Sequence, residues 1–290
     1  VRVVRAGVVA LGLLVVACGS DEAGDAAQGA NPDGADASVA TRTLEVDGTR
    51  VDVIIDRPAA DEVDVLLLYH GTVNEDRLVL DAAQNTLDGF RQVVDRDDLL
   101  LVSVAYPEED LLMGDNLVHA EAALLWVQRH AAEELGVTID RVFLAGHSQG
   151  GYLVTRLNTL HEVDGVIASA PGPLDLLYRC GLEESGQVEP SPGCGKLAAV
   201  YGTTTDDPDA YRARSLLSFT SGQRSDIVFV QGLGDSPIQM RSWPIFREQL
   251  EACGDCRERL FVEIEGLGHP ALFRDREAQA AVDEFLRERS

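Results

Sequence analysis

The residues of this chain best suited to chemistry are a serine between glycines and, far downstream, a carboxylate and a histidine. Gly146-His147-Ser148-Gln149-Gly150-Gly151 follows an apolar run, Val142 to Ala145, that reads as a strand, and it leads into Gly150 to about Leu160, which reads as a helix. Gly-x-Ser-x-Gly in that setting carries the serine on a sharp strand-to-helix turn. The turn strains the serine backbone, so the residues two before and two after it must be small, which Gly146 and Gly150 are. The helix start behind the serine offers unpaired backbone N–H groups to a developing anion. A hydroxyl is a poor nucleophile near neutral pH and needs a base, usually an imidazole held by a carboxylate.

Beyond His161 the remaining histidine is His269, in Glu265-Gly266-Leu267-Gly268-His269-Pro270, just after the strand-like run Leu260 to Ile264. For the acid, Ile227 to Gln231 runs into Gly232-Leu233-Gly234-Asp235-Ser236-Pro237, which sets Asp235 in a turn at the carboxyl end of a strand. Asp226 precedes that strand and Asp255 sits in a cysteine-containing loop, so neither is expected at the same rim. Ser148, Asp235 and His269 are therefore the expected catalytic triad, in the chain order Ser, acid, His. The expected oxyanion donors are the backbone N–H of Gln149 and that of Thr72, in His70-Gly71-Thr72 directly after the run Val65 to Tyr69. His70 is expected to fix this loop by hydrogen bonding and not to act as a base.

These groups need a sheet to carry them. Thr43 to Arg57 alternates apolar and polar residues around Asp47-Gly48, the pattern of an antiparallel hairpin. Strand-like runs then alternate with helical stretches: Val65 to Tyr69, a helix near Ala82 to Val94, Leu99 to Ala105, a helix near Leu117 to Leu135, and Val142 to Ala145. The series continues with the helix after Ser148, Val166 to Ser169, Ile227 to Gln231, a helix near Ile245 to Ala252, Leu260 to Ile264, and a helix from about Glu277 to Arg287. Such alternation predicts an α/β fold, a mainly parallel sheet with helices on both faces and the hairpin at its start. One domain over residues 41–290 accommodates it, with an insertion over about 171–225 that is too long for a simple connection and is expected to form a lid or a wall of the substrate pocket.

Ahead of the domain, Arg2 and Arg5 precede an apolar run from Ala6 to Ala17, and residues 1–17 read as an export signal. The run ends on Val15-Val16-Ala17-Cys18, an arrangement resembling the bacterial lipobox, so Cys18 is the expected lipidation site and membrane anchor. The expected location is the bacterial cell envelope, or the medium if the signal is simply cleaved. Residues 18–40 are Gly, Ala, Asp, Ser and Asn with almost no large apolar side chain, and read as a flexible tether. Of the five cysteines, the other four favour disulfides in an exported chain, with Cys180 to Cys194 and Cys253 to Cys256 paired by sequence proximity. A four-thiolate zinc site is the competing reading, weakened because Cys253 and Cys256 form the single close pair. A net charge of −25 opposes binding to nucleic acid.

Together Tyr69-His70-Gly71, Gly146 to Tyr152, Gln231 to Asp235 and Gly266 to His269 resemble the α/β-hydrolase superfamily, over most of the chain after the tether. Tyr211-Arg212-Ala213-Arg214-Ser215 ahead of the acid strand is similar to dienelactone-hydrolase-like and prolyl-oligopeptidase-like members. The chain departs from the pattern at Gln231-Gly232, where many members have His-Gly, and in the cysteine-bearing 171–225 segment. The resemblance implies a serine hydrolase without cofactor or metal that acts on a small-molecule acyl substrate, first of all a carboxylesterase. A peptidase of prolyl-oligopeptidase type is the alternative, and a non-catalytic binding lipoprotein is a third reading.

Overall fold

The computed structural model describes residues 38–289; the signal segment, Cys18 and most of the tether lie outside the described residues. An eight-stranded sheet in the order β1-β2-β4-β3-β5-β6-β7-β8 organises the described residues. Strands β1 (Ser38–Val46) and β2 (Thr49–Arg57) form the antiparallel hairpin, and β1 begins inside the stretch read as tether. Its two-residue turn puts Asp47 and Gly48 at φ 49° and 82°, the left-handed geometry that matches the twist of paired strands. Strand β2 runs antiparallel to β4 (Leu99–Ala105). From there β3 (Glu62–Tyr69), β4, β5 (Thr138–His147), β6 (Gly165–Ser169), β7 (Ile227–Gly232) and β8 (Arg259–Ile264) are parallel.

Alternation along the strands divides the core between the two faces. Val65, Leu67 and Tyr69 of β3 join one cluster, which also takes Leu153, Val154 and Leu157 of α4 (Gln149–Leu160) and Phe246 of α8 (Pro237–Glu251). Leu66 and Leu68 join the other, with Leu87 and Phe90 of α1 (Val79–Arg91) and Val282, Phe285 and Leu286 of α9 (Arg276–Glu288). Helix α2 (Leu117–Trp126) runs through a π turn into the short α3 (Ala132–Leu135), which Gly136 ends at φ 63°.

One helix differs markedly from the expectation. Helix α8 starts at Pro237, well before Ile245, because the Ser236 hydroxyl accepts the Gln239 N–H and Pro237 sits where no intrahelical N–H is needed. Pro244 lies inside this helix, and the burial of Trp243, Phe246 and Leu250 around it offsets the backbone bond it forgoes. The 171–225 segment folds as a helical insertion. It contains α5 (Leu176–Glu184), α6 (Pro192–Tyr201) and α7 (Pro208–Arg212), packed on a small core of Leu176, Cys180, Cys194, Leu197 and Tyr211. A Cys180–Cys194 disulfide runs through that core, and a Cys253–Cys256 disulfide closes the turn after α8.

Candidate active site

The parallel strands end at one rim, and the loops that leave them there bring the predicted residues together. Ser148 sits between β5 and α4 at φ 57° and ψ −116°, a strained backbone for a residue with a side chain. The elbow closes because of its glycines. A Cβ on Gly146 would run into the Gly150 backbone, and one on Gly150 would run into the Tyr69 carbonyl. The Ser148 N–H donates to the Ser169 carbonyl at 2.9 Å, which ties the elbow to the neighbouring strand.

Asp235 follows β7 and His269 follows β8, and the imidazole Nδ1 lies 2.8 Å from Asp235 Oδ2. Since a carboxylate only accepts, Nδ1 carries the proton and Nε2 is left free to act as a base. The Asp235 side chain is 6% exposed and that of His269 is 42% exposed. Burial pushes the Asp235 carboxyl up, but donation from His269, the Ser236 N–H and Gln231 outweighs it, and the net effect holds Asp235 below the ordinary carboxylate range. Asp226 is elsewhere, accepting the Glu258 N–H and pairing with Arg289.

Ser148 and His269 open onto the same cavity of about 300 Å³. Its apolar wall is Met113, Pro173, Leu174, Leu176, Pro192 and Ile238, so the 171–225 segment supplies much of it, including the disulfide at Cys194. Thr72 also lines the cavity. A methyl group on Gly71 would stand 3.4 Å from Ser148 Cβ, which puts the His70-Gly71-Thr72 loop directly beside the serine. Thr72 Oγ1 donates to Gln149 Oε1 at 2.7 Å and so laces together the two segments whose N–H groups are the candidate oxyanion donors. Gln149 opens α4, where an N–H has no intrahelical acceptor.

His70 is fully buried and stacked on Tyr106 with ring centroids 3.9 Å apart. Its Nδ1–H donates to the Gly71 carbonyl at 2.7 Å, and the Tyr106 hydroxyl donates to the His70 carbonyl. Burial lowers its pKa to about 4, against the smaller upward pull of the Gly71 and Tyr106 backbone, so at neutral pH His70 is an uncharged clamp on the loop.

Three neighbours of the site escape a sequence reading. Gln231 is fully buried; its Nε2 donates to Asp235 Oδ2 at 3.1 Å and to the Gly232 carbonyl at 2.8 Å, while Oε1 accepts from Gln239. The signal was present as the departure from His-Gly, but only the fold reveals its partner. His147, in the first variable position of the serine motif, lies 4.7 Å from the His269 ring and 3.2 Å from Ser169 Oγ. Its burial, then the neighbouring His269, lowers its pKa to about 4, which keeps a second positive charge away from the candidate base His269. Glu108 lies behind the oxyanion loop. Among the described residues the one cluster with metal-ligand spacing is Cys253, Asp255 and Cys256, and its two sulfurs are bonded to each other.

No protein-family model matches the chain and no curated protein matches it by sequence. Solved structures do. Est1E from Butyrivibrio proteoclasticus is 15% identical, with 86% of this chain and 98% of that one covered and a TM-score of 0.58. An esterase from Rhizomucor miehei is 15% identical, covering 88% and 85%, with a TM-score of 0.65. The acylaminoacyl peptidase of Pyrococcus horikoshii is also 15% identical, with 87% of this chain but 42% of that one covered and a TM-score of 0.63. At such identities the likeness is one of fold. Strand order, the helix-backed serine elbow and these neighbours together show that the chain has the α/β-hydrolase fold.

Proposed function

We propose that the chain is a serine hydrolase that cleaves small-molecule carboxylic esters through an acyl-enzyme on Ser148. The observation that carries this reading is the Asp235-held imidazole opening, with the strained Ser148, onto one cavity. His269 Nε2 takes the proton of Ser148 Oγ as the oxygen attacks the acyl carbon. The carbonyl oxygen becomes an oxyanion received by the Thr72 and Gln149 N–H groups. His269 then returns the proton to the departing alkoxide, and water, deprotonated by the same Nε2, releases the acid and restores Ser148. Asp235 steadies the imidazolium at each stage. The apolar cavity wall suits an acyl chain of modest size, and several structural neighbours are themselves named as esterases.

A panel of chromogenic esters run on the parent and on Ser148→Ala tests the reading. The expected loss is on the order of 10⁶ in kcat, and hydrolysis that persists undiminished in the variant would reject it. Likeness to acylaminoacyl peptidases keeps peptide cleavage as a second reading, and acylated peptide substrates in the same panel separate the two. Export and lipidation at Cys18 belong to this proposal as well. They rest on the sequence pattern alone, and metabolic labelling with an acyl probe that leaves Cys18 unmodified would remove the anchor.

A further inference from the structure

Behind the oxyanion loop lies a polar pocket that the reaction above does not use. Its volume of about 40 Å³, room for one or a few waters, is lined by Glu108, Asn116, Gln149 and Lys196 beside Thr72 and Val73. Glu108 is 6% exposed. Its Oε2 accepts the Val73 N–H at 3.0 Å, in the residue next to the candidate donor Thr72. Its main chain is committed too: the N–H donates to Asp76 Oδ1 at 2.7 Å, and the carbonyl accepts from Lys196 Nζ of α6 at 2.8 Å. One residue thus joins the oxyanion loop, the segment after β4 and the helical insertion. Its second carboxyl oxygen, Oε1, is buried without a partner, as is Asn116 Oδ1.

A carboxylate taken out of water needs a cation against it. The titratable groups that face or bond Glu108 place no such cation on its carboxyl. His70 Nδ1 lies 4.0 Å from Oε1, but its proton goes to the Gly71 carbonyl and its ring is uncharged. The Lys196 ammonium sits on the carbonyls of Glu108 and Leu111. Asp76 carries the same charge as an ionised Glu108 would, and the Tyr106 hydroxyl donates to the His70 carbonyl. A negative charge here would also stand beside the loop on which the reaction builds another.

We propose that Glu108 is a positioning residue that holds the oxyanion loop as a neutral acid, its carbonyl oxygen receiving the Val73 N–H and its hydroxyl facing the polar pocket. The proposal rests on the reading of Ser148 as nucleophile and Thr72 as oxyanion donor. Burial raises the Glu108 pKa to about 8, with Asp76 adding to it and the Val73 bond and Lys196 opposing. The acid form therefore prevails at neutral pH and is lost as pH rises past that value.

The test is kcat and KM for ester hydrolysis by the parent, Glu108→Gln and Glu108→Leu from about pH 6 to about pH 10, with fluorophosphonate labelling of Ser148 alongside. The parent kcat is expected to fall as pH passes about 8. Leucine offers Val73 no acceptor, so kcat drops about 10- to 100-fold with KM within about threefold, less than the 10² to 10³ that a deleted donor costs. Glutamine keeps a carbonyl of the same shape, so it restores most of that loss and removes the alkaline fall. A fall near pH 8 that persists in Glu108→Gln, or a leucine variant with parental kcat, would overturn the proposal. Infrared titration of the folded parent guards against a variant that does not fold: the protonated carboxyl band of Glu108 must be present at neutral pH and disappear near pH 8, and its absence at neutral pH is equally fatal. A parent that hydrolyses no ester and leaves Ser148 unlabelled would instead bring down the hydrolase reading beneath it.

Discussion

Gln231 braces Asp235 from inside the sheet, and removing it has consequences that can be worked out from its contacts. Gln231→Leu deletes a bond to the ionised Asp235, a bond to the Gly232 carbonyl, and the acceptor of one Gln239 N–H. A bond to a charged group is worth about 1.5–3 kcal/mol and a neutral one about 0.5–1.5 kcal/mol, a gross loss of about 2.5–6 kcal/mol. Leucine's apolar stem in a fully buried position returns part of this, so the net cost is about 2–4 kcal/mol. For a domain of this size each kcal/mol moves Tm by about 2–4 °C, so the variant should melt about 4–16 °C lower. Asp235 keeps His269 and the Ser236 N–H, so kcat should fall only about 10- to 100-fold, far less than the roughly 10⁴ expected when the acid itself becomes an amide. Gln231→Glu keeps the shape but replaces the donor with a second carboxyl. Two carboxyl groups in contact cannot both ionise, so Asp235 holds its proton to higher pH and the acid limb of the kcat/KM profile moves up. Thermal unfolding and an ester pH profile measure both effects. If both variants keep the parental Tm and the parental acid limb, Gln231 does not support the acid.

Asp235→Asn should cut kcat by about 10⁴ while the fold melts near the parental temperature, because the amide leaves the imidazole in the wrong tautomer; ester kinetics decide it. Gly150→Ala should cost about 3 kcal/mol or more and abolish activity, since its Cβ falls on the Tyr69 carbonyl of a buried strand that cannot give way, which thermal melting will show. Replacing Cys180 and Cys194 together by serine opens a loop with a sequence separation of 14. The expected loss is about 3 kcal/mol, together with a raised KM because Cys194 lines the cavity, whereas the short Cys253–Cys256 pair should matter much less. For Glu108, whose folded pKa of about 8 lies above the ordinary carboxyl range near 4.3, folding takes up a proton between those values. Its contribution is complete below about pH 4 and is lost as pH rises through about 8, so Glu108→Gln should gain Tm over the parent more at about pH 9 than at about pH 5.

The serine elbow was legible because strain demands glycines at fixed offsets, and the same demand places a strand before it and a helix after it. The order of strands was legible as far as alternation and turn residues go, but pairing was not: that β4 lies between β2 and β3 is a long-range choice no local pattern encodes. Helix α8 extends upstream of Ile245 through Pro244, which locally disfavours a continuous helix, and only the packing of Trp243 and Phe246 shows that the chain is helical on both sides of it. Glu108 was invisible for a related reason. Pro107 is followed by three acidic residues, Glu108, Glu109 and Asp110, and nothing local says that Glu108 alone is buried, with a carboxyl oxygen 4.0 Å from His70. Gln231 stood out as a departure from the family pattern, yet its role emerged only when β7 and the loop after it brought its amide to Asp235.

The hydrolase account depends on a serine made nucleophilic by its surroundings, and covalent capture tests that most directly. Folded protein treated with a fluorophosphonate and digested should carry the adduct on the peptide containing Ser148, and His269→Ala should suppress it. Adduct formation elsewhere, or none on Ser148 in protein that melts cooperatively, would contradict the account.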